Sequence, residues 1–222
     1  MMTFTSRETK GESLRTLLEE LYQERNLWHY RAGQIIPLCR DDVWIIYRGM
    51  VQVQTLHPSG DESIISLIGS MMPLAQKFTT LESYDTYALT DVDLLRLKWK
   101  DIQESPRLSM EMNQLLALRL RQTESLLALM GRRHIGDRLI GFLGFLAREF
   151  GQQAPDGIFI DIHLTHQQIA NVLGTTRVTV TRFLGILRQV SLFWVGEDRR
   201  WYVSPQILDS NLDLSDFGFS YR

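Results

Sequence analysis

Thr165-His166-Gln167-Gln168-Ile169-Ala170-Asn171-Val172-Leu173-Gly174-Thr175-Thr176-Arg177-Val178-Thr179-Val180-Thr181-Arg182-Phe183-Leu184-Gly185-Ile186-Leu187-Arg188 meets the demands of two short helices joined by a tight turn. Thr165 and Thr176 stand where a hydroxyl caps the first and the second helix. Gly174 supplies the left-handed residue that ends the first helix, and Ala170 is small where the second crosses it closely. Ile169, Leu173 and Val180 fill the wedge between the helices. On the second helix Val180, Phe183, Leu184 and Leu187 form one apolar face, which leaves Arg177, Val178, Thr181 and Arg182 on the other, toward its N-terminal end. In a DNA-binding helix-turn-helix that end enters the major groove. An arginine there can meet guanine O6 and N7 with two hydrogen bonds, so Arg177 and Arg182 are candidate base readers, with Val178 and Thr181 beside them. Thr165, His166, Gln167 and Thr179 are better placed for phosphates.

Downstream, Phe193-Trp194-Val195, a turn over Gly196-Glu197-Asp198-Arg199-Arg200, and Trp201-Tyr202-Val203 read as a hairpin, the wing, with Arg199 and Arg200 as phosphate candidates at its tip. Upstream, Leu139, Ile140, Leu143, Leu146 and Phe150 mark an amphipathic helix from about Ile135. A turn at Ala154-Pro155-Asp156-Gly157 and a strand over Ile158–Ile162 follow it.

Gly131-Arg132-Arg133 reads as a hinge, because a long helical pattern from Pro106 to about Met130 stops there. Leu108, Met112, Leu115, Arg119, Gln122, Leu126 and Leu129 recur at alternating steps of four and three, the spacing of a coiled-coil seam. A second apolar stripe, Leu116, Leu120, Leu127 and Met130, serves to pack the helix on its own domain, leaving the first stripe for a partner copy. The competing reading is a helix that only packs on its own domain.

Before this helix the chain reads as short strands rich in β-branched and aromatic residues: Ile35-Ile36, Val43–Tyr47, Met50–Leu56, Ser63–Ile68 and Val92–Leu97. Gly33, Gly49, Gly60 and Gly69 fall between them, as in an antiparallel roll. Leu14, Leu17, Leu18 and Leu21 predict a short helix over Glu12–Glu24 in front of it. The fold class expected is α+β: a β-roll sensor over residues 1–105, a dimerisation helix over 106–131 and a winged helix-turn-helix over 132–222.

The 222 residues are 44% hydrophobic and 23% charged, the balance of a globular protein. No apolar run nears the ~20 residues that span a bilayer, and the N-terminus carries no apolar signal stretch, so a cytoplasmic protein is expected. The net charge is −2, yet Arg132–Pro205 holds nine arginines against six acidic residues. The positive charge therefore gathers where phosphate contacts are expected. Cys39 is the sole cysteine, which excludes an internal disulfide. No nucleophile–base arrangement, phosphate loop or zinc spacing appears. His29 and His57 stand far apart in the roll, against a cupin-like metal enzyme fused to a DNA-binding domain. A degenerate interaction module is disfavoured by the intact Arg177 and Arg182. Catalytic residues, a metal and an obligatory cofactor are not expected.

Strands, seam helix and winged helix-turn-helix in this order resemble the Crp/Fnr family of bacterial transcription regulators over nearly the whole chain. Tyr30-Arg31-Ala32-Gly33-Gln34-Ile35-Ile36 and Tyr47-Arg48-Gly49-Met50-Val51-Gln52-Val53 look like the opening and central motifs of that family's cyclic-nucleotide-binding-type β-roll. Gly174–Leu184, Gly136-Asp137-Arg138-Leu139-Ile140 and Arg121-Gln122-Thr123-Glu124 are similar to the cyanobacterial nitrogen-control, NtcA-like branch. The resemblance implies an allosteric homodimer acting on palindromic double-stranded DNA, with RNA polymerase as a further partner and no membrane. It also implies a small-molecule effector. Where cyclic-AMP receptors carry their phosphate-binding segment and arginine, this chain has Met71-Met72-Pro73-Leu74-Ala75-Gln76-Lys77 and Leu81-Glu82-Ser83-Tyr84. Without that arginine an anionic phosphate loses its natural partner, which argues against cyclic AMP. In the nitrogen-control branch 2-oxoglutarate is held partly by an arginine and a glutamate on the long helix, matching Arg119 and Glu124. Effector candidates are accordingly Arg119, Thr123, Glu124, Pro73, Leu74, Ala75 and Tyr84 for a 2-oxoglutarate-like ligand. Glu82 replaces that branch's β-roll arginine, and two alternatives stay open: an Arg119–Glu124 pair between subunits without a ligand, and a regulator controlled by abundance or a partner protein.

Overall fold

The computed structural model describes residues 26–198, 200–209 and 212, so the helix expected over Glu12–Glu24 and the wing residue Arg199 lie outside it. Trp28–Tyr30 (β1), Asp42–Arg48 (β2), Val51–Leu56 (β3), Glu62–Ile68 (β4), Pro73–Leu74 (β5), Asp85–Ala88 (β6) and Val92–Lys98 (β7) make two sheets, in the orders β1-β7-β2-β5 and β4-β3-β6. Trp99–Glu104 (α1) leads into the long helix Pro106–Met130 (α2), and Ile135–Phe150 (α3) follows. Gly151–Ala154 (β8), Gly157–Ile160 (β9), His166–Leu173 (α4), Arg177–Gln189 (α5), Phe193–Val195 (β10) and Trp201–Val203 (β11) complete the described elements, with a closing 3-10 turn at Pro205–Leu208. The fold is α+β, a β-roll followed by helices and a winged helix-turn-helix. By internal contacts the chain divides into two units, one of residues up to Val53 with Leu67–Arg119, the other of Gln54–Ser66 with Leu120 and the residues after it. Among the described residues no helix is long and apolar enough to cross a membrane.

In β2 the run Val43-Trp44-Ile45-Ile46 is buried without alternation, because both faces of the strand are covered. Val43 and Ile45 join Leu95 and Leu97 of β7, Ile102 of α1, Ala75, and Met112 and Leu115 of α2 in one cluster. Trp44 meets the rings of Trp28 and Tyr30 edge-on instead, at 5.8 and 6.4 Å. At the start of the strand the solvent-inaccessible Asp42 carboxylate accepts hydrogen bonds from Arg96 Nε (2.8 Å) and Lys98 Nζ (2.6 Å) of β7. Burial pushes its pKa up, and the two cations more than reverse that, leaving it below the usual carboxylate range.

Gly49, at φ +90°, turns the chain from β2 into β3, and a Cβ there would stand 2.2 Å from the Asp91 carbonyl oxygen and 2.7 Å from Val92 Cγ1. Gly49→Ala is therefore expected to cost roughly 3 kcal/mol or more, combining a left-handed backbone penalty with a clash that only backbone movement relieves. A urea midpoint within error of the parent protein would refute this.

The Ile35-Ile36 strand expected from sequence is only an isolated bridge from Ile35 to Tyr87: Ile36 is buried while Ile35 stays 62% exposed. Conversely β8 has no β-branched residue to announce it, and it forms because the two-residue turn Pro155-Asp156 folds it back on β9 in register, Ala154 opposite Gly157.

The long helix runs over Pro106–Met130, about 37 Å. Ser105 Oγ accepts from Leu108 N at 3.3 Å, and proline at the first position needs no N–H partner. The assignment of its stripes is corrected in part: Leu116 of the second stripe does pack against the roll's cluster, while Leu120 and Leu127 do not. Met112, Leu115, Gln122 and Leu129 of the first stripe are buried in the chain itself, at 2–6% exposure, and Met112 and Leu115 supply the helix side of the roll's cluster. The open face instead carries Met110 (56% exposed), Leu120 (59%) and Leu127 (70%). Met110, Asn113, Ala117, Leu120, Glu124 and Leu127 again alternate in steps of three and four.

Candidate nucleic-acid interface

A reciprocal capping box starts α4: Thr165 Oγ1 accepts from Gln168 N (3.1 Å) and Gln168 Oε1 from Thr165 N (2.8 Å). Gly174 ends it at φ +60°, ψ 48°, and the Thr175 N–H donates to Ala170 O at 3.0 Å. No atom stands within 4 Å of a Cβ built on Gly174. Gly174→Ala is thus expected to cost only about 1–2 kcal/mol, the left-handed backbone penalty, visibly less than Gly49→Ala in the same urea titration. Arg138 Nη1 of α3 donates to Leu173 O at 3.0 Å, holding the end of α4 against α3. Sequence reasoning met Arg138 only within a family-like stretch and did not assign it this part.

Thr176 caps α5 by accepting from Thr179 N at 3.2 Å, and the Thr176 and Thr179 hydroxyls share a 2.9 Å hydrogen bond. Val180, Phe183, Leu184 and Leu187 are buried, as are Ile169, Ala170, Val172 and Leu173 of α4. Each such large side chain contributes about 1.5–3 kcal/mol of apolar burial, ample to fix α5 on α4. The consequence is an outward face of Arg177, Val178 (78% exposed), Thr181 and Arg182. The Arg182 guanidinium lies 4.8 Å from the Phe183 ring centroid, which limits its sweep.

His166 bridges the two helices: its Nδ1 is 2.8 Å from Thr181 Oγ1, and that hydroxyl donates to Arg177 O at 2.9 Å. Burial first, then the charges of Arg188 and Arg177, hold the imidazole below its usual range, so it is neutral at pH 7. Gln167 Nε2 donates to Asn171 Oδ1 at 2.7 Å, keeping Gln167 beside α4.

The wing strands β10 and β11 do not stand alone. They continue a four-stranded sheet, β10-β11-β9-β8, with Trp201 opposite Ile160 and Val203 opposite Ile158. At the tip Gly196 N donates to Arg200 O (2.9 Å) and the Tyr202 hydroxyl to Asp198 Oδ2 (3.1 Å). Trp194 stacks on Tyr202 at 5.8 Å. The Arg200 N–H first, then the Tyr202 hydroxyl and the Arg200 charge, keep the Asp198 carboxyl below its usual range. Arg200 itself is turned back onto Asp161 (3.5 Å), Asp198 (3.8 Å) and the face of Phe159 (5.2 Å). Asp161 is a partner that sequence reasoning missed, since 39 residues separate the pair and only the β9–β11 pairing joins them.

The effector candidates fall into two groups. Arg119 lies half-buried on α2 with its guanidinium hydrogen-bonded to the Tyr84 hydroxyl. Burial lowers the arginine's pKa and raises the tyrosine's, and each group partly offsets the shift of the other. Pro73 and Leu74 are β5, paired with Ile45 and Trp44, and Ala75 shares the cluster of Leu115, one turn before Arg119. Thr123 and Glu124 follow Arg119 by about one turn on α2 and are exposed. Among the described residues no group of three or more His, Cys, Asp or Glu side chains is placed to hold a metal ion.

Residues 137–202 match the model of the Crp-like helix-turn-helix domain. The chain is 38% identical over 175 residues to the global nitrogen regulator of Synechocystis sp., a match spanning 75% of this chain and 78% of that one. It is 36% identical over 175 residues to the global nitrogen regulator of Synechococcus elongatus, covering 75% and 79%. Among solved structures, a cyclic nucleotide-binding domain containing protein from Listeria monocytogenes superposes with a TM-score of 0.73 at 15% identity, over 86% of this chain and 97% of that one, a likeness of fold.

Proposed function

Because the chain belongs to the Crp/Fnr family of bacterial transcription regulators, we propose that it reads DNA as a homodimer, each copy laying α5 in the major groove of one half of a palindrome. It is a DNA-binding transcription regulator of this type rather than an enzyme, and such regulators usually form dimers. The observation that carries the proposal is the two-sided character of α5: Val180, Phe183, Leu184 and Leu187 are buried while Arg177, Val178, Thr181 and Arg182 face outward. Arg177 and Arg182 read bases, and Val178 and the Thr181 methyl pack on thymine methyls. Thr165, His166, Gln167 and Thr179 meet phosphates, joined at the wing by Arg199 and Arg200. The dimer forms along the open stripe of α2, Met110, Ala117, Leu120 and Leu127, in the cytoplasm, and engages RNA polymerase once on DNA. Selection of duplexes from a random pool is expected to return a two-fold-symmetric sequence with half-sites about 34–36 Å apart. A pool that stays unselected at physiological salt refutes the proposal.

Family members bind small-molecule effectors in the domain that corresponds to the β-roll. Here the effector acts on the Arg119–Tyr84 pair and is a small dicarboxylate of the 2-oxoglutarate kind, which a half-buried guanidinium suits. Cyclic AMP is not the ligand, since Pro73–Ala75 and Glu82 give its phosphate no cation. Thermal unfolding is expected to shift upward with 2-oxoglutarate, not with cyclic AMP, and the shift is expected to vanish in Arg119→Ala. One observation favours a second reading, a regulator without a ligand: the Tyr84 hydroxyl already answers the Arg119 guanidinium. No shift with either compound would favour that reading.

A further inference from the structure

We propose that His166 takes up a proton when the protein binds DNA, because the hydrogen-bond chain Arg177–Thr181–His166 lets the ring's Nε2 meet a phosphate only as imidazolium. The inference rests on the docking of α4 and α5 on DNA. It adds a fixed tautomer and a pH dependence that docking alone does not require.

Thr181 has one hydroxyl proton, and Thr181 Oγ1 donates it to Arg177 O at 2.9 Å. A carbonyl cannot donate, so the direction of this bond is fixed. The same Oγ1 lies 2.8 Å from His166 Nδ1. Placing that one proton on the bond to Arg177 O, as proposed, makes the hydroxyl an acceptor from Nδ1, and the imidazole proton then sits there. The neutral ring then presents a bare lone pair at Nε2. Phosphate oxygens in a DNA backbone are acceptors only, so a neutral His166 repels the phosphate and a protonated one binds it.

Electrostatics set when the proton arrives. The charged groups acting on His166 are Arg188 and Arg177, both on α5. Its own helix faces it with the uncharged Gln167 and Gln168, and no carboxylate among the described residues acts on it. In the free protein these arginines and partial burial oppose a second positive charge. On DNA the phosphates reverse that field and raise the imidazole pKa. Because the pKa is higher in the complex, the added affinity is complete below the free-state pKa and disappears as pH rises through the complex's pKa. His166 is then a positioning residue as well as a phosphate ligand, since the same ring ties the first helix to the middle of α5.

The test uses the full chain and a duplex enriched from the random pool, with affinity measured at constant salt between about pH 6 and pH 8. The dissociation constant is expected to rise by up to about a hundredfold per pH unit over part of that range, since each dimer takes up two protons, one in each half-site. His166→Gln, which keeps a neutral donor, is expected to bind with a flat profile. Thr181→Val frees the ring to carry its proton on Nε2 and is expected to flatten the profile with His166 still present, whereas Thr181→Ser keeps the slope. Long-range proton–nitrogen spectra of the unmodified protein are expected to show the Nδ1–H tautomer free and both nitrogens protonated on DNA. Selective binding with a pH-independent constant, a slope that survives His166→Gln, or an Nε2–H tautomer in the free protein each overturns the proposal while leaving DNA reading intact. Failure to enrich any duplex sinks the DNA-docking reading and this proposal with it.

Discussion

Arg177→Ala and Arg182→Ala are each expected to weaken binding to the selected palindrome by about 2–6 kcal/mol, since a guanine contact discriminates by about 1–3 kcal/mol and a symmetric dimer loses it in both half-sites. The two side chains leave the exposed face of α5, so neither substitution enters the buried layer of Val180, Phe183, Leu184 and Leu187 that holds the helix in place, and Arg182→Ala gives up only the contact of its guanidinium with the Phe183 ring. Thermal unfolding is expected to change by no more than a degree or so, roughly the effect of a surface substitution. The distinguishing readout is sequence preference. Selection repeated with either variant is expected to return a site degenerate at one base pair per half-site and unchanged elsewhere. A uniform loss of affinity with all base preferences retained would demote that arginine to a phosphate contact.

Leu120→Asp combined with Leu127→Asp is expected to leave a folded monomer. Both residues are more than half exposed in the single chain, at 59% and 70%, so two carboxylates there cost the free subunit little. Across a two-fold seam the same carboxylates would face their symmetry mates and apolar neighbours without a cation. Sedimentation is expected to give half the parent mass at micromolar concentration. Affinity for the palindrome is expected to drop by about 100-fold or more, because the second half-site no longer benefits from tethering. As a control, Met112→Asp strikes the buried stripe and is expected to unfold the roll instead. A double variant that remains dimeric would place the interface on another surface.

The helix-turn-helix was legible because its requirements are local. A cap at Thr165, a left-handed Gly174 and a cap at Thr176 are each written in one side chain at a fixed distance from the next, and the structure uses all three. The long helix was legible in extent for the same reason, with Pro106 at its start and the pattern break at Gly131. Which of its faces is buried was not, since both stripes are apolar at helical spacing. The choice between them depends on where Val43, Ile45, Ala75 and Leu97 present a complementary surface, a fact of tertiary structure. The buried Gln122 and the exposed Leu127 run against residue type, so hydrophobicity pointed the wrong way at both. β8 escaped for want of β-branched residues. The pairing of Arg119 with Tyr84 joins two candidates named separately from sequence, 35 positions apart, whose meeting no periodicity encodes.

The wing arginine has a consequence for any salt titration of the complex. Arg200 carries its own counterions in Asp161 and Asp198. For it to reach a phosphate it must leave two carboxylates behind, and these recruit cations from solution as fast as the DNA sheds them. Such an exchange is close to neutral in ions, so the slope of log affinity against log salt is expected to count α4 and α5 and to miss Arg200. Asp161→Asn would turn that silent contact into a visible one, steepening the slope while strengthening binding.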